Sequence, residues 1–358
     1  YLASADGSTL RCGPMLDARA WLLWALTVLV TASSTRNPLY VVLVLLIAAA
    51  VDLACAPRRR AALPTSFRFG AVAVPLAALF NGLTVHFGET VLFHLPAWLP
   101  LLGGPVTLEA FAYGAINGLT LTAIFSGFST FNRVTPARDL VRLTPRAFHE
   151  AGVVLSIALT FVPQMTRSLN RIREAQAVRG HRVRGLRDWL PIFVPLLVSG
   201  LERALGLAEA MVARGYGALS DQAHSLRSQA LLALGLLALL LGWLATLFLP
   251  QWRVAGIGGM IAGAGLIGGL LWQAGRSVAH TTYRARRWTT RESLAVLGCA
   301  VTLAVLLAPL PFVDREALYY SPYPRLALPA FDPGVGLALL GLLVPALVTK
   351  AEETARDD

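Results

Sequence analysis

The chain has 358 residues, 56% of them hydrophobic and only 14% charged, with a mean hydropathy of +0.61. A soluble surface needs more charge than this, so the composition excludes an ordinary water-soluble domain and points to a membrane protein. The formal charge of +11 would suggest nucleic acid in a hydrophilic chain; here it is the excess that cytoplasmic loops require, and nucleic acid is not expected as a partner.

The three cysteines, Cys12, Cys55 and Cys299, lie far apart without a CxxC pair, so neither a disulfide framework nor a zinc site is expected. The only lysine is Lys350, preceded by Val348 and Thr349, whereas a phosphate-binding GxxxxGK[ST] loop needs lysine after a glycine-rich turn. ATP hydrolysis by that route is excluded. The sequence opens on Tyr1, so an initiator methionine is expected to be missing. No signal-peptide pattern precedes Met15.

A membrane helix needs about 20 mostly apolar residues. In chain order, such runs fall at 18–34, 37–55, 70–88 and 107–131, then at 228–249, 253–275, 292–313 and 333–349. The first is short and spans only if it stands upright. Placing both termini inside puts Arg58, Arg59 and Arg60 in the cytoplasm, together with Arg276, Arg284, Arg286, Arg287, Arg291, Lys350 and Arg356. Only Arg36, Arg253, Arg315 and Arg325 are left outside.

Two further apolar runs, 148–165 and 189–200, do not fit as crossings. Arg133, Arg138, Arg142 and Arg146 precede the first, and Arg167, Arg171 and Arg173 follow it, so one crossing would strand a cluster outside. Residues 135–218 therefore read as a cytoplasmic region of long, partly amphipathic helices. The chain divides on this reading into membrane helices over 1–134, the cytoplasmic region over 135–218 and membrane helices over 219–358.

The cytoplasmic region carries a repeat. Glu174-Ala175-Gln176-Ala177-Val178-Arg179-Gly180 recurs 35 residues later as Glu209-Ala210-Met211-Val212-Ala213-Arg214-Gly215. Each copy ends an apolar-periodic helix, with glycine where a helix cap favours it and arginine where the helix dipole favours a cation. Capping explains either copy alone. It does not explain why two neighbouring helices share Glu-Ala-x-x-x-Arg-Gly, which suits two tips that dock in similar grooves, with each guanidinium pairing to a carboxylate or to carbonyls.

These residues resemble the two Ala-Arg-Gly motifs on the coupling helices of the transmembrane T components of energy-coupling factor (ECF) transporters, a family that includes the Q protein of cobalt uptake systems. Ala213-Arg214-Gly215 matches outright; Val178-Arg179-Gly180 has valine for alanine. Weaker matches extend along the chain, at Asn37-Pro38-Leu39, from Thr135-Pro136 to Phe161-Val162-Pro163, and at Tyr283-Arg284 with Arg287-Trp288. The helices at 292–313 and 333–349 make this a longer form.

The resemblance implies a non-catalytic scaffold in the cell membrane that binds no cofactor. Two partner ABC-type ATPases would use ATP and Mg, and coupling helices ending at Arg179 and Arg214 would transmit their motion. A substrate-binding S component would then reorient in the bilayer to take up a vitamin or metal ion. The fold expected is an all-α integral membrane protein of about eight transmembrane helices plus the coupling-helix region. The alternative is a membrane-embedded enzyme acting on phospholipid or polyprenyl phosphate, but no DxxD-type carboxylate pair lies in the cytoplasmic loops. A self-contained secondary transporter should show ionisable groups at mid-span and broken helices.

Among the remaining features, Ala255, Gly259 and Gly263 share a four-residue spacing that suits close helix packing, as do Gly265 and Gly269. Asp52 and Glu109 are the acidic residues nearest the membrane interior and are functional suspects for that reason, although both sit near span ends, where they can reach the interface. His86, Glu89 and His94 lack metal-site spacing and read as a solvated loop. Tyr319, Tyr320 and Tyr323, with Pro322, read as an interfacial anchor.

Overall fold

The first two apolar runs fold as helices whose first turns are capped by the residues just before them. Asp17 accepts the Arg19 N–H at 3.1 Å to start α1 (Ala18–Ser34). Asn37 accepts the Leu39 N–H at 3.0 Å to start α2 (Pro38–Cys55), with proline in the first turn, where no N–H is needed. The elements that follow are α3 (Thr65–Thr84), β1 (Val91–His94), β2 (Pro105–Thr107), α4 (Leu108–Val134) and α5 (Ala137–Val141). Then come α6 (His149–Val178), α7 (Leu190–Ala213), α8 (Leu226–Phe248), α9 (Arg253–Ser277) and α10 (Thr290–Leu307). The last, α11 (Pro333–Leu339), is capped by Asp332 and continues as an apolar helix to Val348 through a tightened turn at Leu340–Leu343.

This computed structural model describes residues 16–55, 65–94, 96, 103–145, 148–181, 185–216, 226–277, 288–308 and 314–348. Cys12, Met15, Arg58, Arg59, Arg60, Arg146, Tyr283, Arg284, Arg286, Arg287, Thr349, Lys350 and Arg356 lie outside the described residues.

The fold is that of an all-α integral membrane protein. Among the described residues, eight helices are long and apolar enough to cross a membrane: α2, α3, α4, α6, α7, α8, α9 and α10. The set differs from the one read by charge. It includes Glu150–Val178 and Leu190–Ala213, which flanking arginines placed on the cytoplasmic side, and it leaves Ala18–Ser34 and Pro333–Val348 as shorter apolar helices. Length and flanking charge weigh different properties, and these four helices are where the two criteria part.

Contacts divide the chain into two compact units, Tyr1–Asp139 with Ala285–Asp358, and Leu140–Arg284. In the second unit α8 packs on α9 and α6 on α7, while α10 and α11 return to α1 and α2 in the first.

Within the first unit, Trp21, Trp24, Val28, Tyr40, Val44, Leu339 and Leu342 form a buried core. Apolar contact alone drives little association between helices in lipid, so polar contacts between them carry more information. The Trp24 indole donates to the Leu342 carbonyl at 2.9 Å, inside the tightened turn. Thr302 donates to the Ala338 carbonyl at 2.8 Å. The Asn37 amide donates to the carbonyls of Ala317 and Ala330 at 2.8 and 2.6 Å, and the Tyr40 hydroxyl accepts the Asp332 N–H at 2.7 Å. Glu292 joins two helix starts, accepting from Asp17 N–H at 3.0 Å and Thr289 N–H at 2.6 Å. The C-terminal helices are thus part of this core.

The acidic suspects have structural partners. Asp52 pairs with Arg133 at 2.6 Å, tying α2 to α4. Glu109 is fully buried and accepts the Thr90 N–H at 3.1 and 3.3 Å, closing the loop after α3. That loop turns at Gly88, so α3 ends at Thr84, short of the expected 88. The short antiparallel β1–β2 ladder follows, with Val91 opposite Thr107 and His94 opposite Pro105. Glu89 pairs with Arg325, His86 Nδ1 lies 3.3 Å from the Pro105 carbonyl, and no group of three metal-ligating side chains occurs among the described residues. Tyr319 is exposed, whereas Tyr323 packs against Phe87 and Tyr113.

Within the second unit, α8 and α9 form an antiparallel hairpin held together on glycine. A Cβ at Gly263 would lie 2.7 Å from the Gly235 carbonyl oxygen, and one at Gly256 would lie 2.8 Å from that of Gly242. Such contacts let the backbones approach as only glycine allows. Gly259 also faces Gly242, while Ala255 is exposed, and Gly265 and Gly269 meet nothing within 4 Å.

Candidate functional site

The two arginine-glycine repeats end α6 and α7 with the same backbone geometry. At the first, the Gly180 N–H donates to the Ala177 carbonyl at 3.0 Å and the His181 N–H to the Gln176 carbonyl at 2.9 Å. At the second, Gly215 N–H donates to Val212 at 2.9 Å and Tyr216 N–H to Met211 at 3.0 Å. This paired closure is the Schellman motif, which turns the chain through a left-handed residue. That residue is Gly180 at φ +77° and Gly215 at φ +79°. Arg179 and Arg214 are the cap residues before each turn.

A left-handed backbone costs an L-residue about 1–2 kcal/mol, and glycine avoids the cost. Nothing lies within 4 Å of a Cβ built at either glycine, so the penalty there is conformational and not steric. Gly180→Ala and Gly215→Ala are each expected to speed amide exchange at His181 or Tyr216 roughly five- to thirtyfold, a difference of about 1–2 kcal/mol. Hydrogen-exchange mass spectrometry of the two tips checks this; unchanged exchange would mean the closures do not hold them.

The capping arrangement accounts for the glycines and gives each arginine only the weak pull of the helix dipole. Ala177, Val178, Arg179 and Gly180 are all exposed, as are Ala213, Arg214 and Gly215, with Val178 at 90% and Val212 at 72%. Among the described residues neither arginine side chain makes a hydrogen bond or ion pair. Glu174, Ala175, Glu209 and Ala210 are likewise exposed. Glutamate and arginine in each repeat stand five residues apart, about 140° around a helix at 100° per residue, so they do not form an intrahelical pair. The recurrence of both therefore has no explanation inside the helix.

The arrangement of the helices separates the tips. Gln176 donates to the Pro191 carbonyl at 3.5 Å, Arg203 to the Gln164 side chain at 3.3 Å, and Gly200 meets Met165. As positions fall along α6 their partners rise along α7, so the two helices run antiparallel. Around the first tip, the Arg173 guanidinium lies 5.9 Å from the Trp189 ring centroid, within cation–π range, and His181 Nε2 lies 2.8 Å from the Asp188 carbonyl. Arg179 thus sits beside the start of α7, and Arg214 at its far end. The 24 residues of α7 set them roughly 35 Å apart at 1.5 Å per residue.

The repeat was legible in the sequence; the separation and the contacts of Arg173, Trp189 and Gln176 around the first tip were not. No sequence signal marks that contact beyond an aromatic residue just before a proline-started helix.

Comparison with known proteins identifies the family. Residues 14–226, more than half of the chain, match the cobalt transport protein family CbiQ, a stretch that includes both tips and ends at the start of α8. The chain is 42% identical over 74 residues to the energy-coupling factor transporter transmembrane protein EcfT of Streptococcus thermophilus, covering 19% of this chain and 28% of that protein. It is 41% identical over 104 residues to EcfT of Thermotoga maritima, 27% of this chain and 34% of that one. With EcfT 1 of Listeria monocytogenes it shares 32% identity over 134 residues, 32% of this chain and 49% of that one. The chain thus spans between about a quarter and a half of the length of these relatives. By the extent of the family match, and with both arginine-glycine tips inside it, the chain belongs to the cobalt transport protein family CbiQ.

Proposed function

We propose that this chain is the transmembrane scaffold of an ECF-type importer, coupling two partner ABC-type ATPases to a substrate-binding S component that takes up a vitamin or metal ion. The observation that carries this reading is the pair of matching, exposed tips, whose arginine side chains have no partner among the described residues, at opposite ends of the antiparallel α6–α7 pair. One compact contact patch does not bridge roughly 35 Å, so the geometry suits one ATPase at each tip. Each arginine presents a planar fork for a carboxylate or carbonyl pair in the ATPase.

In this mechanism ATP and Mg act in the partners, and the chain itself does no chemistry. Opening and closing of the ATPase pair moves the two tips relative to each other. Two antiparallel helices that share few contacts can follow such a movement. The exposed apolar side chains Phe193, Leu197, Leu201 and Leu205 of α7 offer the S component a face to pack on.

The test is stoichiometry. In a reconstituted complex, crosslinkers placed separately at positions 179 and 214 are expected to capture two different ATPase molecules, giving a product of one chain with two ATPases when both positions react. Capture of a single ATPase by both positions would overturn the two-site reading.

A further inference from the structure

Within the first unit, a cavity of about 260 Å³ lies between the end of α1 and the face of α4, lined by Thr35, Arg36, Tyr113, Asn117 and Tyr320 among others. A water takes about 30 Å³ of liquid volume, so the space is several waters large. The hydroxyls of Ser33, Thr35, Thr120 and Tyr320 already donate to the carbonyls of Val30, Thr31, Ile116 and Ala327. Three groups remain. The Arg36 guanidinium, the Asn117 amide and the Tyr113 hydroxyl make no hydrogen bond among the described residues.

Their positions make this unusual. Asn117 is nine residues into α4, about 13 Å along the axis from Leu108, inside a helix long and apolar enough to cross the membrane. Asn117 and Arg36 are exposed and Tyr113 is half-buried, so the amide faces lipid or a ligand, and at that depth in a bilayer it is costly without a partner. Arg36 supplies a full positive charge just beyond the end of α1, and no acidic side chain lines the cavity. The unpaired donors therefore suit anionic oxygens. Ala32, Ile116 and Ile124 line the same space and suit an apolar tail below them.

We propose that this cavity binds the phosphodiester of a phospholipid headgroup, with Arg36 pairing its charge and Asn117 and Tyr113 donating to its oxygens. Arginine recognises phosphate through two parallel hydrogen bonds, which a lone snorkelling side chain at a membrane surface does not need. The amide and hydroxyl are what distinguish a built site from general attraction to anionic lipid. The site does not depend on the coupling role of the tips.

The experiment is native mass spectrometry of the full chain in micelles containing phosphatidylglycerol, comparing wild type with R36Q, N117D and R253Q. N117D keeps the side-chain size but puts a negative charge in the cavity; R253Q removes an arginine that does not line it. Wild type and R253Q are expected to retain phosphatidylglycerol equally, while R36Q and N117D each lose roughly tenfold or more in affinity. Helical content and thermal transition are recorded for each protein, and R36K, which keeps charge without the fork, should recover only part of the loss. A second arm adds inorganic phosphate without phospholipid. If phosphate binds wild type but not R36Q or N117D, while lipid retention is equal in all, the occupant is a soluble phosphate and the lipid reading is overturned. Equal retention of both ligands by every variant overturns the site itself.

Discussion

Exchanging Arg179 and Arg214 together for glutamate is expected to strip both ATPases from the purified complex and abolish ATP-driven uptake, with the chain still inserted in the membrane. The size of the effect follows from the chemistry of a desolvated charge pair, whose truncation costs about 2–5 kcal/mol at each contact, and reversal more. That is a loss of roughly thirtyfold or more per tip. On the proposed reading of one ATPase at each tip, each single variant should release one ATPase and keep the other.

The cost to the chain itself should be small. Both arginines are exposed, and the closures beneath them use only backbone groups. An acidic residue at a helix C-terminus opposes the helix dipole by about 0.3–1 kcal/mol, well below the expected interface loss. Arg179→Lys with Arg214→Lys keeps the charge but not the fork and should lie between wild type and the glutamate variant. Pull-down stoichiometry and ATP turnover read the result. A glutamate double variant that keeps both ATPases and normal turnover overturns the coupling assignment.

The second large effect concerns Asn37. This buried side chain caps α2 with its carbonyl and gives both N–H groups to carbonyls near the C-terminal end of the chain. Asn37→Leu leaves the Ala317 and Ala330 carbonyls without their donor and the first turn of α2 without its cap. A buried polar group stripped of its partner costs about 1–3 kcal/mol and a lost cap about 1 kcal/mol, so a total of about 3 kcal/mol or more is expected. Asn37→Ser retains a cap oxygen but cannot reach both carbonyls, and should recover only the capping part. Thermal unfolding in detergent, followed by tryptophan fluorescence, checks the order wild type, serine, leucine. A serine variant as stable as wild type would show that capping alone explains Asn37.

The contribution of α10 and α11 also bears on how the chain compares with its family. The family match ends at residue 226, yet the later helices fill the core against α1 and α2 through Trp24 and Tyr40, and bond to each other through Thr302. They are integral to the first unit, and not an appended pair beside a finished bundle.

Composition and helix periodicity alone determined the membrane class, the helical fold and the two tips. Each of these is a property of one segment at a time: an apolar run is long enough to span, and a glycine stands where the chain must turn left-handed. Arg179 and Arg214 were legible for the same reason, as repeated residues whose side chains have no partner inside their own helices. What tertiary structure alone decided is where those segments go. The antiparallel run of α6 and α7, which sends the tips to opposite ends, depends on contacts such as Gln176 with Pro191 and Arg203 with Gln164. Asn37 and Trp24 find their acceptors 280, 293 and 318 residues away along the chain. Those acceptors are backbone carbonyls, which every residue carries, so no side-chain pattern could have announced them.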